Sequence, residues 1–140
     1  MADHPDARAI QAMYQAYNER SLTGWLAAFH PEAVWTNIPT GERFVGHEGQ
    51  RTNYAAWDTP FPSGQCVDLH VGGGNGVYVG EFIGAGTNTG PLPGPDGTQL
   101  PPTNRQSEIA FCDVHEVSEG LIVNTRRYWD QDAVIRQLGL

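Results

Sequence analysis

The segment Arg126-Arg127-Tyr128-Trp129-Asp130 runs from a strand-like stretch into an apolar helical pattern, with Asp130 at the junction. A carboxylate there has two uses. Aspartate is among the best helix N-caps, and if the rings of Tyr128 and Trp129 shielded it from water it would suit a general base. The uses are compatible, because one oxygen can cap while the other faces a cavity. Pairing with Arg126 or Arg127 would oppose the second use. Asp113 and His115, two apart in "FCDVHEV", share one face of a strand. If that face lines a pocket, they form a polar pair that holds a substrate oxygen; if it meets water or a second copy of the chain, they are exterior residues. Tyr14, Tyr17, Trp35 and Trp57 are core aromatics or, alternatively, the walls of a pocket for a planar ligand.

Other chemistries find no support. The five histidines at 4, 30, 47, 70 and 115 lie in no zinc-ligand register, so no metal is expected. "VGGGNG" and "PLPGPDG" lack the Lys-Ser/Thr of a phosphate loop. No Gly-x-Ser-x-Gly occurs, and Cys66 and Cys112 have no sequence partner for nucleophilic work.

These residues sit in a chain of 140, the size of one domain, so a single domain over 1–140 is expected. With 39% hydrophobic and 17% charged residues the composition is that of a folded protein rather than a disordered one. A net charge of −8 argues against nucleic acid and anionic lipid as partners. No apolar run approaches the ~20 residues of a membrane helix, "MADHPDARAI" carries no export pattern, and two isolated cysteines read as reduced thiols. A cytoplasmic protein is the expectation.

The positioning elements follow from periodicity. Ile10, Met13, Tyr14 and Tyr17 at i, i+3, i+4, i+7 predict a helix with Asp6 as its cap, and Leu22, Trp25, Leu26 and Phe29 predict a second, stopped by Pro31. "AVWTNI" predicts a short strand, and "HEGQRTNYAAWD" a third helix closing before Pro60. Four segments after residue 65 are rich in β-branched and aromatic residues and predict strands, the last ending near Trp129. Between them, Thr87–Thr103 predicts a long Pro/Gly-rich loop that is either a lid or a surface insertion. "DQDAVIRQLGL" predicts a closing helix. Helices first and strands later make the fold class α+β, with helices on one face of a largely antiparallel sheet. Glycines 80, 84 and 86 fall on one strand face, where they let the sheet bend, leave room for a ligand, or mark a bulge. Phe82, Phe111 and Tyr128 at alternating positions predict an apolar open face buried in a homodimer.

The motifs "FHPEAVW", "GAGTNTGPL", "PPTNR" and above all "EGLIVNTRRYWDQDAVIRQLGL" resemble the SnoaL-like polyketide cyclases and ester cyclases of the NTF2-like superfamily, whose relatives include ketosteroid isomerases. The resemblance implies a cone: a strongly curved, mainly antiparallel sheet with helices on its concave face around an apolar pocket, usually in a dimer. It implies cofactor-free intramolecular aldol ring closure of an apolar, polyketide-like substrate. Asp130 would be the general acid/base, and Asn37, Asn88, Asp113, His115, Tyr14, Trp57 and Trp129 would hold the substrate. An isomerase or a non-catalytic binding module is the alternative. Asn88 stands where many relatives carry a histidine, and an amide cannot move protons near neutral pH.

Overall fold

The computed structural model describes residues 4–140; Met1–Asp3, at the start of the segment read for an export signal, lie outside them. Four helices form: α1 (Pro5–Asn18), α2 (Leu22–Ala27), α3 (Gly46–Asp58) and α4 (Gln131–Leu138). The strands are β1 (Phe29–Asn37), β2 (Glu42–Val45), β3 (Gln65–Gly74), β4 (Val77–Thr87), β5 (Leu92–Pro93), β6 (Gln99–Leu100), β7 (Gln106–Ser118) and β8 (Leu121–Trp129). Six of them make one curved sheet in the order β2-β1-β8-β7-β4-β3. Only β1–β8 is parallel in it; every other pair is antiparallel. The class is α+β, as expected.

Local chemistry explains the boundaries, and it moves two of them. The cap of α1 is His4, whose Nδ1 accepts from Asp6 N–H, with Pro5 at the first helical position. Asp6 instead accepts from Gly120 N–H at 3.1 Å and ties α1 to the β7–β8 turn. Ser21 caps α2 through Gly24 N–H, and the helix ends at Ala27 rather than at Pro31, which lies inside β1. The β1–β8 register shifts between Phe29 and Val34, the irregularity that lets a strand hold a proline.

Two tight turns set the sheet register. Asn75-Gly76 and Glu119-Gly120 all have positive φ, the conformation that a two-residue hairpin loop requires. Along β7–β8 the pairing then slips by one residue between Glu116 and Val117, leaving Val123 as the extra residue of β8. That bulge reverses the facing of everything after it. Thr125 and Arg127 turn inward, and Asn124, Arg126 and Tyr128 turn outward.

This corrects the expected outer face. Phe82 and Phe111 are buried on the concave side as a stacked pair with centroids 5.1 Å apart, and only Tyr128 of the three is exposed. The glycines of β4 are also explained, and not by an extra residue in β4: its pairing with β7 is uninterrupted, and the shift in its pairing with β3 puts the extra residue in β3, between Val67 and His70. A Cβ on Gly80 would stand 2.8 Å from Tyr14 Cζ, and one on Gly84 would stand 2.6 Å from Phe111 Cε1. At these two the room is filled by the protein's own rings, and at Gly86 by the backbone of Gly64, whose Cα would stand 2.8 Å from a Cβ.

The helices pack across the concave face: α1 against β3 and β8, α3 against β1 and β2, and α4 against β7. Ile10, Met13, Trp25, Phe29, Trp35 and Ile122 form the centre of the core between the layers. The Thr87–Thr103 segment is not featureless. It holds the β5–β6 hairpin with a short 3-10 turn at Pro95–Gly97.

Candidate functional site

A cavity opens between the concave face and the helices. Its walls are mostly rings and small residues: Tyr14 and Tyr17 from α1, Trp25 from α2, Tyr54 and Trp57 from α3, Phe82 and Gly84 from β4, and Phe111 from β7. The cavity volume is about 80 Å³, several times the ~10–15 Å³ that admits one water. It accommodates a ring or a short apolar chain. Among the described residues that line it, Arg127 alone carries a formal charge.

Arg127 is held from behind. Its Nε and Nη2 donate to the two oxygens of Asp113 at 2.7 and 2.8 Å, a bidentate pair between directly opposed residues of β7 and β8. Its guanidinium carbon lies 4.7 Å from the Trp35 ring centre, 5.1 Å from Phe111 and 5.3 Å from Phe82, so the cation rests among π faces. Burial alone would favour loss of its proton, but the facing Asp113 carboxylate outweighs this and shifts the group further toward the charged form.

The next opposed pair, His115 and Thr125, continues the network. Tyr14 donates its only hydroxyl proton to Asp113 Oδ2 at 2.6 Å, so at its 2.9 Å contact with His115 Nε2 it must accept. His115 therefore carries its proton on Nε2, and its Nδ1 accepts from the Thr125 hydroxyl at 2.8 Å. Every donor in the chain points toward the Asp113 carboxylate. Asp113 thus accepts three hydrogen bonds, two from Arg127 and one from Tyr14.

Burial holds these groups in defined states. Desolvation, aided by the neighbouring Asp113 charge, pushes the Tyr14 phenol well above its ordinary range, and burial raises Tyr17 likewise. The Cys66 thiol, also in the cavity wall, is pushed up to about 12 by burial. His115 is lowered to about 4, chiefly by desolvation, with the Asp113 charge opposing and Arg127 assisting. It is neutral at pH 7. The unfolded chain, with a histidine near 6.5, binds the proton first, so this group's contribution to stability is complete above pH 6.5 and is lost as pH falls from 6.5 to 4. About 3 kcal/mol should disappear across that window. Urea unfolding at pH 7 and pH 4.5 checks it, and His115→Gln should remove most of the difference.

The expected site residues divide. Tyr14 and Trp57 line the cavity, and Asp113 and His115 stand directly behind Tyr14. The remaining four lie elsewhere. Asn37 is buried but spends its oxygen on Trp35 Nε1 and its amide on Glu42. Asn88 is a loop staple, donating to the Pro60 and Gly90 carbonyls and accepting from Thr103. Trp129 packs edge-on against Trp57 and donates to Gln131. Asp130 is exposed, and its Oδ1 accepts from Ala133 N–H at 3.1 Å as the cap of α4. One turn later, Val134 of α4 reaches the cavity wall. No residue of the β5–β6 hairpin segment lines the cavity. Sequence reasoning missed Arg127, Asn53 and Cys66 as lining residues; for Arg127 the usable signal was its pairing with Asp113, which the β8 bulge hides.

A curved sheet folded over helices to enclose an apolar cavity is the NTF2-like architecture. The SnoaL-like domain matches residues 10–125, and the chain belongs to that family. No curated protein sequence matches it. Among solved structures, a candidate polyketide cyclase from Xanthomonas campestris pv. campestris is 17% identical, with 96% of each chain covered and a TM-score of 0.82. IdmH, a candidate polyketide cyclase from Streptomyces antibioticus, is 20% identical over 98% of this chain and 100% of its own, with a TM-score of 0.79. TerC, co-crystallised with polyporic acid, is 17% identical over 98% of this chain and 100% of its own, with a TM-score of 0.76. At these identities the likeness is one of fold. Among the described residues no helix is long and apolar enough to cross a membrane.

Proposed function

We propose that this chain is a cofactor-independent, polyketide-cyclase-type enzyme that folds a carbonyl-bearing, largely apolar substrate into the cavity and promotes intramolecular aldol ring closure. The observation that carries this reading is Arg127, a fixed cation in an otherwise apolar, aromatic cavity, oriented by Asp113 behind it. A cation placed where negative charge develops stabilises an enolate without reorganising during the reaction.

In the proposed step a carboxylate removes a proton alpha to a carbonyl, and the C–H pair becomes the enolate. Its oxygen gains charge beside Arg127. The enolate carbon then bonds to a second carbonyl carbon, whose π pair becomes an alkoxide and takes up a proton. The proposed base is Asp130, which caps α4 one helical turn before Val134 of the cavity wall. Asp113 is excluded as the base by the three hydrogen bonds it already accepts.

A non-catalytic ligand-binding module is the second reading. It is favoured by the raised Tyr14, Tyr17 and Cys66, which leave those wall groups protonated at neutral pH. Deuterium exchange at the α-carbon of a linear β-diketone, followed by proton NMR, separates the two. The enzyme reading expects exchange well above the protein-free rate; equal rates leave the binding module. A homodimer through the outer sheet face remains part of the proposal, resting on exposed Val67, Val77 and Tyr128. Sedimentation showing only a 15.3 kDa species at micromolar concentration would remove it.

A further inference from the structure

Two polar groups of α3 have no protein partner among the described residues: Asn53 Oδ1 and Trp57 Nε1, both buried. They belong to residues at i and i+4, on one face of the helix, and both residues line the cavity. A buried donor or acceptor left unpaired costs about 1–3 kcal/mol, so a donor and an acceptor left open one turn apart in the wall of one cavity call for an explanation.

The orientation of Asn53 is set by its neighbours. The carbonyls of Ala33 and Phe44 both need a donor from Gln50, at 3.3 and 3.2 Å, and this fixes the Gln50 amide nitrogen toward them. Gln50 Oε1 then faces Asn53 and takes a hydrogen bond from Asn53 Nδ2 at 3.4 Å. A flipped Asn53 would set two oxygens against each other. Asn53 is therefore held with its oxygen open, and the indole of Trp57 can only donate.

We propose that Asn53 and Trp57 together read a hydroxyl group on the bound molecule, so that the cavity selects ring compounds bearing a phenol or enol. This deepens the proposed function and rests on its reading of the cavity as a ligand site. A hydroxyl oxygen accepts from Trp57 Nε1–H while its proton goes to Asn53 Oδ1, which satisfies both groups at once. An ether or a plain carbonyl satisfies only Trp57, and a hydrocarbon satisfies neither. For a dicarbonyl substrate this favours binding of the enol tautomer, the form that precedes carbon–carbon bond formation.

Equilibrium dialysis of the full chain with 2-naphthol, 2-methoxynaphthalene and naphthalene tests the proposal. The expected order is naphthol, then the ether, then the hydrocarbon, with naphthol about tenfold tighter than the ether. Asn53→Leu should bring naphthol and the ether together. Because that variant strands Gln50 Oε1, Trp57→Phe provides an independent test. It keeps an aromatic ring, and because any change in wall packing is shared by all three probes, naphthol and the ether should each weaken relative to naphthalene by a similar factor. Equal affinities in the wild type, a preference for naphthol over the ether that survives in folded Asn53→Leu, or an unchanged naphthol-to-naphthalene affinity ratio in Trp57→Phe would each overturn the proposal while leaving the cavity a ligand site. No binding of any probe would overturn the ligand-site reading and this proposal with it.

Discussion

Arg127→Met is expected to lower unfolding stability by about 3–5 kcal/mol, because it leaves a buried carboxylate without its cation. Asp113 is fully buried and Arg127 is 8% exposed, so water cannot take over either role. The loss is one of charge pairing rather than of volume, since methionine fills similar space. The double variant Asp113→Leu/Arg127→Met should therefore recover most of it, short of the hydrogen bond that Tyr14 loses with its acceptor. Urea unfolding of the two single variants and the double measures this directly. Additive losses would mean that the pair is not coupled and that packing carries the effect. The same Arg127→Met change should slow turnover by removing the cation from the enolate position, an effect that the double variant does not restore.

Asp130→Asn should leave the fold within about 1 kcal/mol of wild type and reduce turnover by ~10²–10⁴. Asparagine keeps the side-chain oxygen that accepts from Ala133 N–H, so α4 remains capped. What it loses is the capacity to accept a proton. Asp130→Ala should lose both rate and cap. Wild-type turnover in Asp130→Asn would reduce Asp130 to a cap, an outcome its exposure makes informative. The base would then have to be sought on the substrate or in solvent, with Arg127 as the remaining catalytic group.

The local grammar of the chain was readable without tertiary information. The i, i+3, i+4 spacing of Ile10, Met13 and Tyr14 marked α1, and the β-branched and aromatic runs after residue 65 marked β3, β4, β7 and β8. The α+β class followed from their order. Side-chain direction along β7 was equally readable, which is why Asp113 and His115 could be placed on one face. These are short-range properties, fixed by backbone period and side-chain type within a few residues.

What tertiary structure alone decided was the site. Strict alternation from Ile122 would turn Arg126 and Tyr128 inward; the bulge at Val123 sends Arg127 inward instead and sets it opposite Asp113. A one-residue slip reverses the facing of every side chain beyond it, and nothing local in "LIVNTRRYW" announces it. The family resemblance offered Asn37 and Asn88 as ligand amides, and sequence shows a hydrogen-bonding group but not what occupies it. Here Trp35, Glu42, Thr103 and two loop carbonyls take those bonds. Asn53 was invisible for the converse reason. Its open oxygen exists only because Gln50, three residues earlier, is claimed by carbonyls from β1 and β2. The sequence by itself determined the four helices, β1 and the four long strands after residue 65, and that Asp113 and His115 share one face of β7, while β2, the β5–β6 hairpin and the side to which that face turns came only with the fold. The register of β8, and the partners that satisfy or leave open each buried polar group, depend on residues that are distant along the chain and meet only in the folded sheet.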